Sequence, residues 1–313
     1  MEESLFISIC IPAYRRTDFL KRLLDSIWIQ TYLDYEVVLT DDSPGTEVQE
    51  LADRHPLKSK IRYFKNAVTL GTPENWNESV RRASYEWIKI MHDDDWFSGP
   101  ESLKEFAAVV RDGRNCFYFS SFINTYPDGK TKTIHISSHQ LRGLKNKPEI
   151  LLAANRIGPP SAVIFKKDPS IVFDNRMQWL VDIDFYIGYL NRHPHAIHIP
   201  KNLVCIGISD TQVTRASFGN RKIEIPERFA LFEKINPNAL RNITVYDSWW
   251  RFVRNMQIRD TSEISANGYK GMVPVPIQSM IVHQSYIAPS LLRVGFFSKL
   301  LMFIHFLRTF NAK

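Results

Sequence analysis

At 313 residues with 44% hydrophobic content, the chain is large enough to bury one substantial core and a smaller appended unit. Its cysteines, Cys10, Cys116 and Cys205, lie far apart with no C-x-x-C pair, which argues against a disulfide framework or zinc ribbon and fits a reducing cytoplasm. The net charge of +7 invites an acidic partner, but Lys and Arg are interspersed with acids over most of the chain, so nucleic acid is not expected.

The opening MEESLFISICIPAY has no basic start and reaches Pro12 early, so no secretory signal is expected. Residues 5–11 form a β-rich run stopped by Pro12. Residues 18–29 place Leu20, Leu23, Leu24 and Ile27 at i, i+3, i+4, i+7 spacing, an amphipathic helix capped by Thr17. A second strand over 35–40 ends at the turn Asp41-Asp42-Ser43-Pro44-Gly45. A strand over 61–64, a helix over 74–85 and a strand over 87–91 follow. Ser98 and Glu101 form an S-x-x-E capping box before a helix ending at Val110. Residues 116–126 and 130–136 pair as a hairpin around Pro127-Asp128-Gly129-Lys130. A strand over 162–165, a helix over 181–190 and a strand over 203–208 complete the pattern. Beyond Arg221 the chain turns helical and aromatic, with Trp249, Trp250 and Phe252. This alternation predicts an α/β fold with a mainly parallel sheet flanked by helices and a C-terminal helical extension. The expected domains are residues 1–220 and 221–313.

In open parallel sheets, ligands bind at the carboxyl ends of the strands. Two acidic groups fall at such ends: Asp41-Asp42, and the triplet Asp93-Asp94-Asp95 within MHDDDWFSGP. Three adjacent carboxylates repel one another and become useful around a hard cation such as Mn²⁺ or Mg²⁺. The chain has neither a G-x-G pair nor a phosphate-binding G-x-x-x-x-G-K-[ST] loop. A nucleotide diphosphate would therefore need aspartate-held metal instead of a glycine cradle.

The segment ISICIPAYRRTDFLKRLLDSIWIQTYLDYEVVLTDDSPG resembles the opening of family-2 glycosyltransferases, whose fold is GT-A. GTPENWNESVRRASYEWIKIMHDDDW is similar to their N-W-N helix and D-x-D region. GPPSAVIFKK followed by WLVDIDFYIGYL resembles their acceptor-side segment. The four motifs stand in the family's order and cover roughly residues 5–215. The resemblance implies a metal-dependent, inverting transfer from a nucleotide-diphosphate sugar. It makes Asp42, with Asp41 beside it, a nucleoside contact near Pro12 and Tyr14, and puts Asn75 and Asn77 on the helix lining the donor pocket. The resemblance gives the metal to Asp94 or Asp95 and Asp93 to the donor; a literal D-x-D would be Asp93 and Asp95, and the HDDD form shifts the alignment so that the choice within the triplet stays open. Asp182 becomes the general base, with Asp184 as the runner-up. Many members carry a histidine metal ligand where this chain has Ser209; either Asp210 substitutes, or metal binding is weaker and relies on the donor phosphates.

Competing readings are a sugar-phosphate nucleotidyltransferase, which should carry a glycine-rich basic loop absent from Ile11–Arg16, and a non-catalytic glycan-binding subunit. His193, His195 and His198 lie along a loop and strand and need not converge on a metal. Trp76 reads as a core aromatic and Arg81-Arg82 as a solvated face. The chain's end, SLLRVGFFSKLLMFIHFLRTFNAK, is too interrupted by charge to span a bilayer. After Glu263 there are no acids, while Lys270, Arg293, Lys299, Arg308 and Lys313 remain. A basic, apolar helix of this kind suits an anionic membrane surface, or else packs on the protein's own core. The first alternative fits a lipid-linked oligosaccharide or other glycan acceptor at the inner face of the cytoplasmic membrane.

Overall fold

The structure, a computed structural model, describes residues 5–144, 147–209 and 217–311. The chain divides into two compact units. The first comprises Met1–Asn146, Arg156–Asn175 and Gly188–Gln212, and the second Lys147–Asn155, Arg176–Ile187 and Val213–Lys313.

The first unit is built on a nine-stranded sheet. Its strands are β1 (Ile7–Ala13), β2 (Tyr35–Asp41), β3 (Ile61–Lys65), β4 (Trp87–Ile90), β5 (Trp96–Phe97), β6 (Phe117–Thr125), β7 (Thr131–Ile134), β8 (Val163–Lys166) and β9 (Ala196–Gly207). The order is β3-β2-β1-β4-β8-β6-β9-β5, with β7 on β6. The run from β3 to β4 is parallel. Beyond it antiparallel pairs enter at β8, β7 and β5. The α/β class with its helix-flanked sheet is as expected; parallel pairing covers the run from β3 to β4 and also joins β6 to β9. Strand order reverses at β1, and that opens a crevice at the carboxyl ends of β1, β2 and β4.

Helices α1 (Thr17–Trp28), α2 (Glu47–Arg54), α3 (Glu74–Arg82) and α4 (Ser102–Val110) belong to this unit. Leu20, Leu23, Leu24 and Ile27 of α1 bury against Ile7, Ile9 and Ile11, the stripe the sequence spacing predicted. Some local expectations fail for identifiable reasons. β1 runs through Pro12 because its pairing with β4 ends at Cys10, so the missing N–H removes no ladder bond. Thr17 is the first helical residue and not the cap; Arg16 holds that position without a capping bond. The Ser98–Glu101 box does not form. Ser98 instead donates to the Asn202 carbonyl, Glu101 pairs with Lys104, and α4 starts at Ser102.

The second unit is helical and aromatic, as expected beyond Arg221. Its longer helices are α5 (Arg221–Glu233), α6 (Ile243–Asn255), α7 (Val275–Ser285) and α8 (Gly295–Asn311). Trp249 and Trp250 are fully buried, with Phe229 and Phe252 packed on Trp249. Residues 176–187 also belong here and carry most of the helix Val181–Arg192.

Candidate active site

The acidic turn follows β4 directly, and its side chains are drawn inward: Asp93, Asp94 and Asp95 are all buried. Burying three carboxylates requires compensating charge. Arg16 supplies it. The backbone at Arg15 takes φ of +63°, held by its N–H to Ser43 Oγ at 2.8 Å, and this turn aims the next side chain across the crevice. The Arg16 guanidinium forks onto the Asp93 carboxylate and reaches Asp94 Oδ2 at 3.1 Å. Arg22 lies over the Trp96 ring at 3.7 Å and donates to the Asp94 carbonyl at 2.7 Å. Burial still pushes the Asp93 carboxyl up, to about 6, against the pull of Arg16. Burial and the charge of Asp94 raise Asp95 as well.

His92 completes a cluster. One ligand atom each from His92, Asp94 and Asp95 falls within 4.8 Å of the others, the one such group among the described residues. The ring stacks against Trp76, its backbone N–H donates to Ser161 Oγ at 3.0 Å, and Nε2 is buried without a hydrogen-bond partner. Burial pushes the imidazole below its usual range, which keeps it neutral and able to ligate. Two mutually repelling buried carboxylates with an unsatisfied imidazole fit a divalent cation. The sequence singled out Asp94 and Asp95; it missed His92, although the signal lay one position before the triplet. Asp93 is turned onto Arg16. Beneath the turn, Lys89 is fully buried and donates to the Ser161 carbonyl, its ammonium pushed down to about 7 by burial.

β9 closes the turn from the far side. The Gly207 N–H donates to Asp95 Oδ1 at 3.1 Å, and a Cβ there would sit 2.4 Å from the Asp94 carbonyl oxygen. That nearest neighbour is backbone and not the end of a flexible side chain, so Gly207→Ala must displace the acidic turn. We expect it to cost ~1–3 kcal/mol in a urea melt and to weaken metal-dependent nucleotide binding. Gly188→Ala, where nothing lies within 4 Å of the added methyl, should be neutral or slightly stabilising. Equal effects of the two would show that the close approach does not matter. Ser209 follows two residues after Gly207; Asp210 lies outside the described residues.

At the end of β2, Asp41 and Asp42 serve different partners. Asp41 accepts from Tyr63 at 2.7 Å, Lys65 at 2.9 Å and the Ser43 N–H at 2.8 Å; burial opposes ionisation, but these bonds hold its carboxyl below the ordinary range. Asp42 accepts from Asn66 at 2.6 Å and from the N–H groups of Leu70 at 3.1 Å and Gly71 at 2.8 Å, which fixes that loop. Pro12 is buried at the end of β1, and Tyr14 is exposed beyond it. Asn75 ties Asn66 to the Ala13 and Thr40 carbonyls. Asn77 makes a reciprocal pair of 2.9 Å bonds with the Phe173 backbone. Both amides are spent on holding the wall together.

Asp182 belongs to the second unit. It is half-buried in the first turn of its helix, where Oδ2 accepts from Asn155 at 2.6 Å and Oδ1 from the Ile183 N–H at 2.8 Å. Burial pushes its carboxyl up to about 6. Asp184 is held differently, with both oxygens 2.7 Å from Lys234 Nζ. Glu227 accepts from the N–H groups of Gln178, Trp179 and Leu180 at 2.7–2.9 Å and so anchors the start of the helix carrying Asp182. Of the three histidines along 193–198, His193 pairs with Asp168 and His198 with Ser121, so they do not converge.

The sequence profile described as Glycosyl transferase family 2 matches residues 8–171, more than half of the chain. An uncharacterized protein of Mycobacterium tuberculosis is 24% identical over 78% of this chain and 81% of its own length. Abequosyltransferase RfbV of Salmonella typhimurium is 35% identical over a shorter stretch, 29% of this chain and 28% of its own. The mannosyltransferase PcManGT of Pyrobaculum calidifontis, solved in complex with GDP-Man and Mn²⁺, superposes with a TM-score of 0.57 over 98% of this chain and 88% of its own, at 13% identity. That last likeness is one of fold.

Proposed function

The chain belongs to glycosyl transferase family 2 and is a glycosyltransferase of GT-A fold, and from that premise we propose that it is a metal-dependent, inverting enzyme using a nucleotide-diphosphate sugar. The observation that carries this reading is the group of His92 with the buried Asp94 and Asp95 at the carboxyl end of β4. These three residues would hold Mn²⁺ or Mg²⁺, which supplies neutralisation for the diphosphate as it leaves. Asp93, Arg16 and Arg22 hold the turn in shape. Pro12, Tyr14, Asp41 and Asp42 form the nucleoside side, with Asn75 and Asn77 bracing its wall.

Asp182 is the proposed base. Its carboxylate takes the proton of the acceptor hydroxyl while that oxygen bonds to the anomeric carbon. The bond from that carbon to the diphosphate breaks on the opposite face, and the nucleoside diphosphate leaves with the electron pair. Asp182 suits this role better than Asp184, whose charge is committed to Lys234. Residues 1–220 would carry donor chemistry and 221–313 would meet the acceptor, a glycan or lipid-linked oligosaccharide at the inner face of the cytoplasmic membrane.

Incubation with a panel of nucleotide sugars tests the reading. Free nucleoside diphosphate should appear with Mn²⁺ or Mg²⁺, stop with excess chelator and resume when metal is restored. A nucleotidyltransferase would instead release pyrophosphate from a nucleoside triphosphate, and a glycan-binding subunit would release neither.

A further inference from the structure

Helix α8 faces the wrong way for a helix in water. Its buried side includes polar Ser298 and His305 alongside Met302. Ser298 bonds Trp250 Nε1 at 3.1 Å and Arg254 at 3.0 Å; His305 bonds the Tyr246 hydroxyl at 2.6 Å and Ser279 at 3.1 Å. Those bonds fix the helix's rotation on α6 and α7. They leave Phe296, Leu300, Phe303 and Leu307 outward at i, i+4, i+7, i+11 spacing, widened by Phe297 and Ile304. Phe296 is 75% exposed, and none of the six is less than 38% exposed. A continuous outward stripe of this size on a helix marks an interaction surface.

Charge identifies what covers it. Lys299 and Arg308 are exposed, and their helical positions put them on the two margins of the stripe. Exposed Arg293 lies just before the helix, and no acidic residue occurs between 264 and 313. A second copy of the same face would bring these cations against one another. An anionic bilayer surface satisfies both features: the phenylalanines and leucines enter the acyl boundary while the basic heads reach lipid phosphates. Among the described residues no helix is long and apolar enough to cross a membrane, so the contact is flat. We infer that α8 is a membrane-docking helix that seats the second unit on an anionic leaflet. This deepens the lipid-linked acceptor reading above and rests on it only for its biological purpose.

Co-sedimentation of the full chain with vesicles of phosphatidylcholine, with or without phosphatidylserine, tests the inference. The expected result is binding to the serine-containing vesicles at low salt and loss of binding as salt rises. Each of Lys299→Glu and Arg308→Glu should reduce partitioning at least ~5-fold. Phe296→Ser with Phe303→Ser should abolish it without lowering Tm, since both side chains are exposed. Metal-dependent nucleotide release should persist in all these variants, so a failed docking surface is distinguishable from a failed enzyme assignment. Wild-type protein that ignores anionic vesicles at low salt overturns the inference. So does a wild-type dimer that the two Phe substitutions convert to monomer, because the stripe would then be a self-interface.

Discussion

Replacing Asp94 and Asp95 together by alanine should abolish sugar transfer, with a loss on the order of 10³-fold or more. Each carboxylate would bind the cation that offsets diphosphate charge, and losing even one preorganised electrostatic contact in a dry site costs roughly 10²–10³ in rate. Folding should suffer less. The substitution removes two buried carboxylates that repel each other, while Asp93 keeps its ion pair with Arg16. The chief structural debit is the Gly207 N–H left without Asp95, about 1–3 kcal/mol. Thermal shift separates the two effects: Mn²⁺ with nucleoside diphosphate should raise Tm of the parent and leave the variant unmoved. Full activity of the parent in excess chelator would sink the metal assignment and the role of the turn with it.

Asp182→Asn should lower kcat by roughly 10²–10⁴ while leaving donor affinity unchanged. The amide keeps the bond to the Ile183 N–H but has no basic oxygen for the acceptor proton. The pH dependence follows from the raised carboxyl of Asp182, about 6. Below that pH the base is protonated and idle; above it the carboxylate is free to act. In the parent kcat/KM should therefore rise with pH through about 6 and then level, and the variant should lose that limb. Asp184→Asn removes the charge from the ion pair with Lys234, so its chief effect should be a lower Tm, with transfer largely kept. The reverse ranking would assign the base to Asp184.

The sequence was most legible where structure is local. The strands expected over 5–11, 35–40 and 87–91 form at 7–13, 35–41 and 87–90, the end of the first misplaced by Pro12, and the stripe of α1 follows from hydrophobic spacing. β5 escaped because it is two residues long and exists only by pairing with β9, more than a hundred positions along the chain. The histidine run at 193–198 was legible as a loop entering a strand; that this strand continues to Gly207 as one β9 escaped because Pro200 and a register shift after Ile199 interrupt the pattern. In the site, the triplet announced itself by its charge. The arms that neutralise it did not: Arg16 and Arg22 lie more than seventy positions earlier, and Arg16 follows a left-handed turn at Arg15 that spacing does not foretell. Three buried carboxylates demand cations, so the presence of such arms could be expected, but sequence alone does not say which arginines serve.

Arg16 also separates maturation from loading. In a zinc finger the ion is part of the folding reaction, and the apo chain stays unstructured. Here a guanidinium tethered to the same chain neutralises the acidic turn, so the chain can collapse around it in surroundings poor in divalent ions. A cation binding at the proposed site would compete with a group that never diffuses away, at high effective concentration. Its affinity would be the difference between two ways of balancing the same carboxylates. That difference would keep the hold on the metal modest.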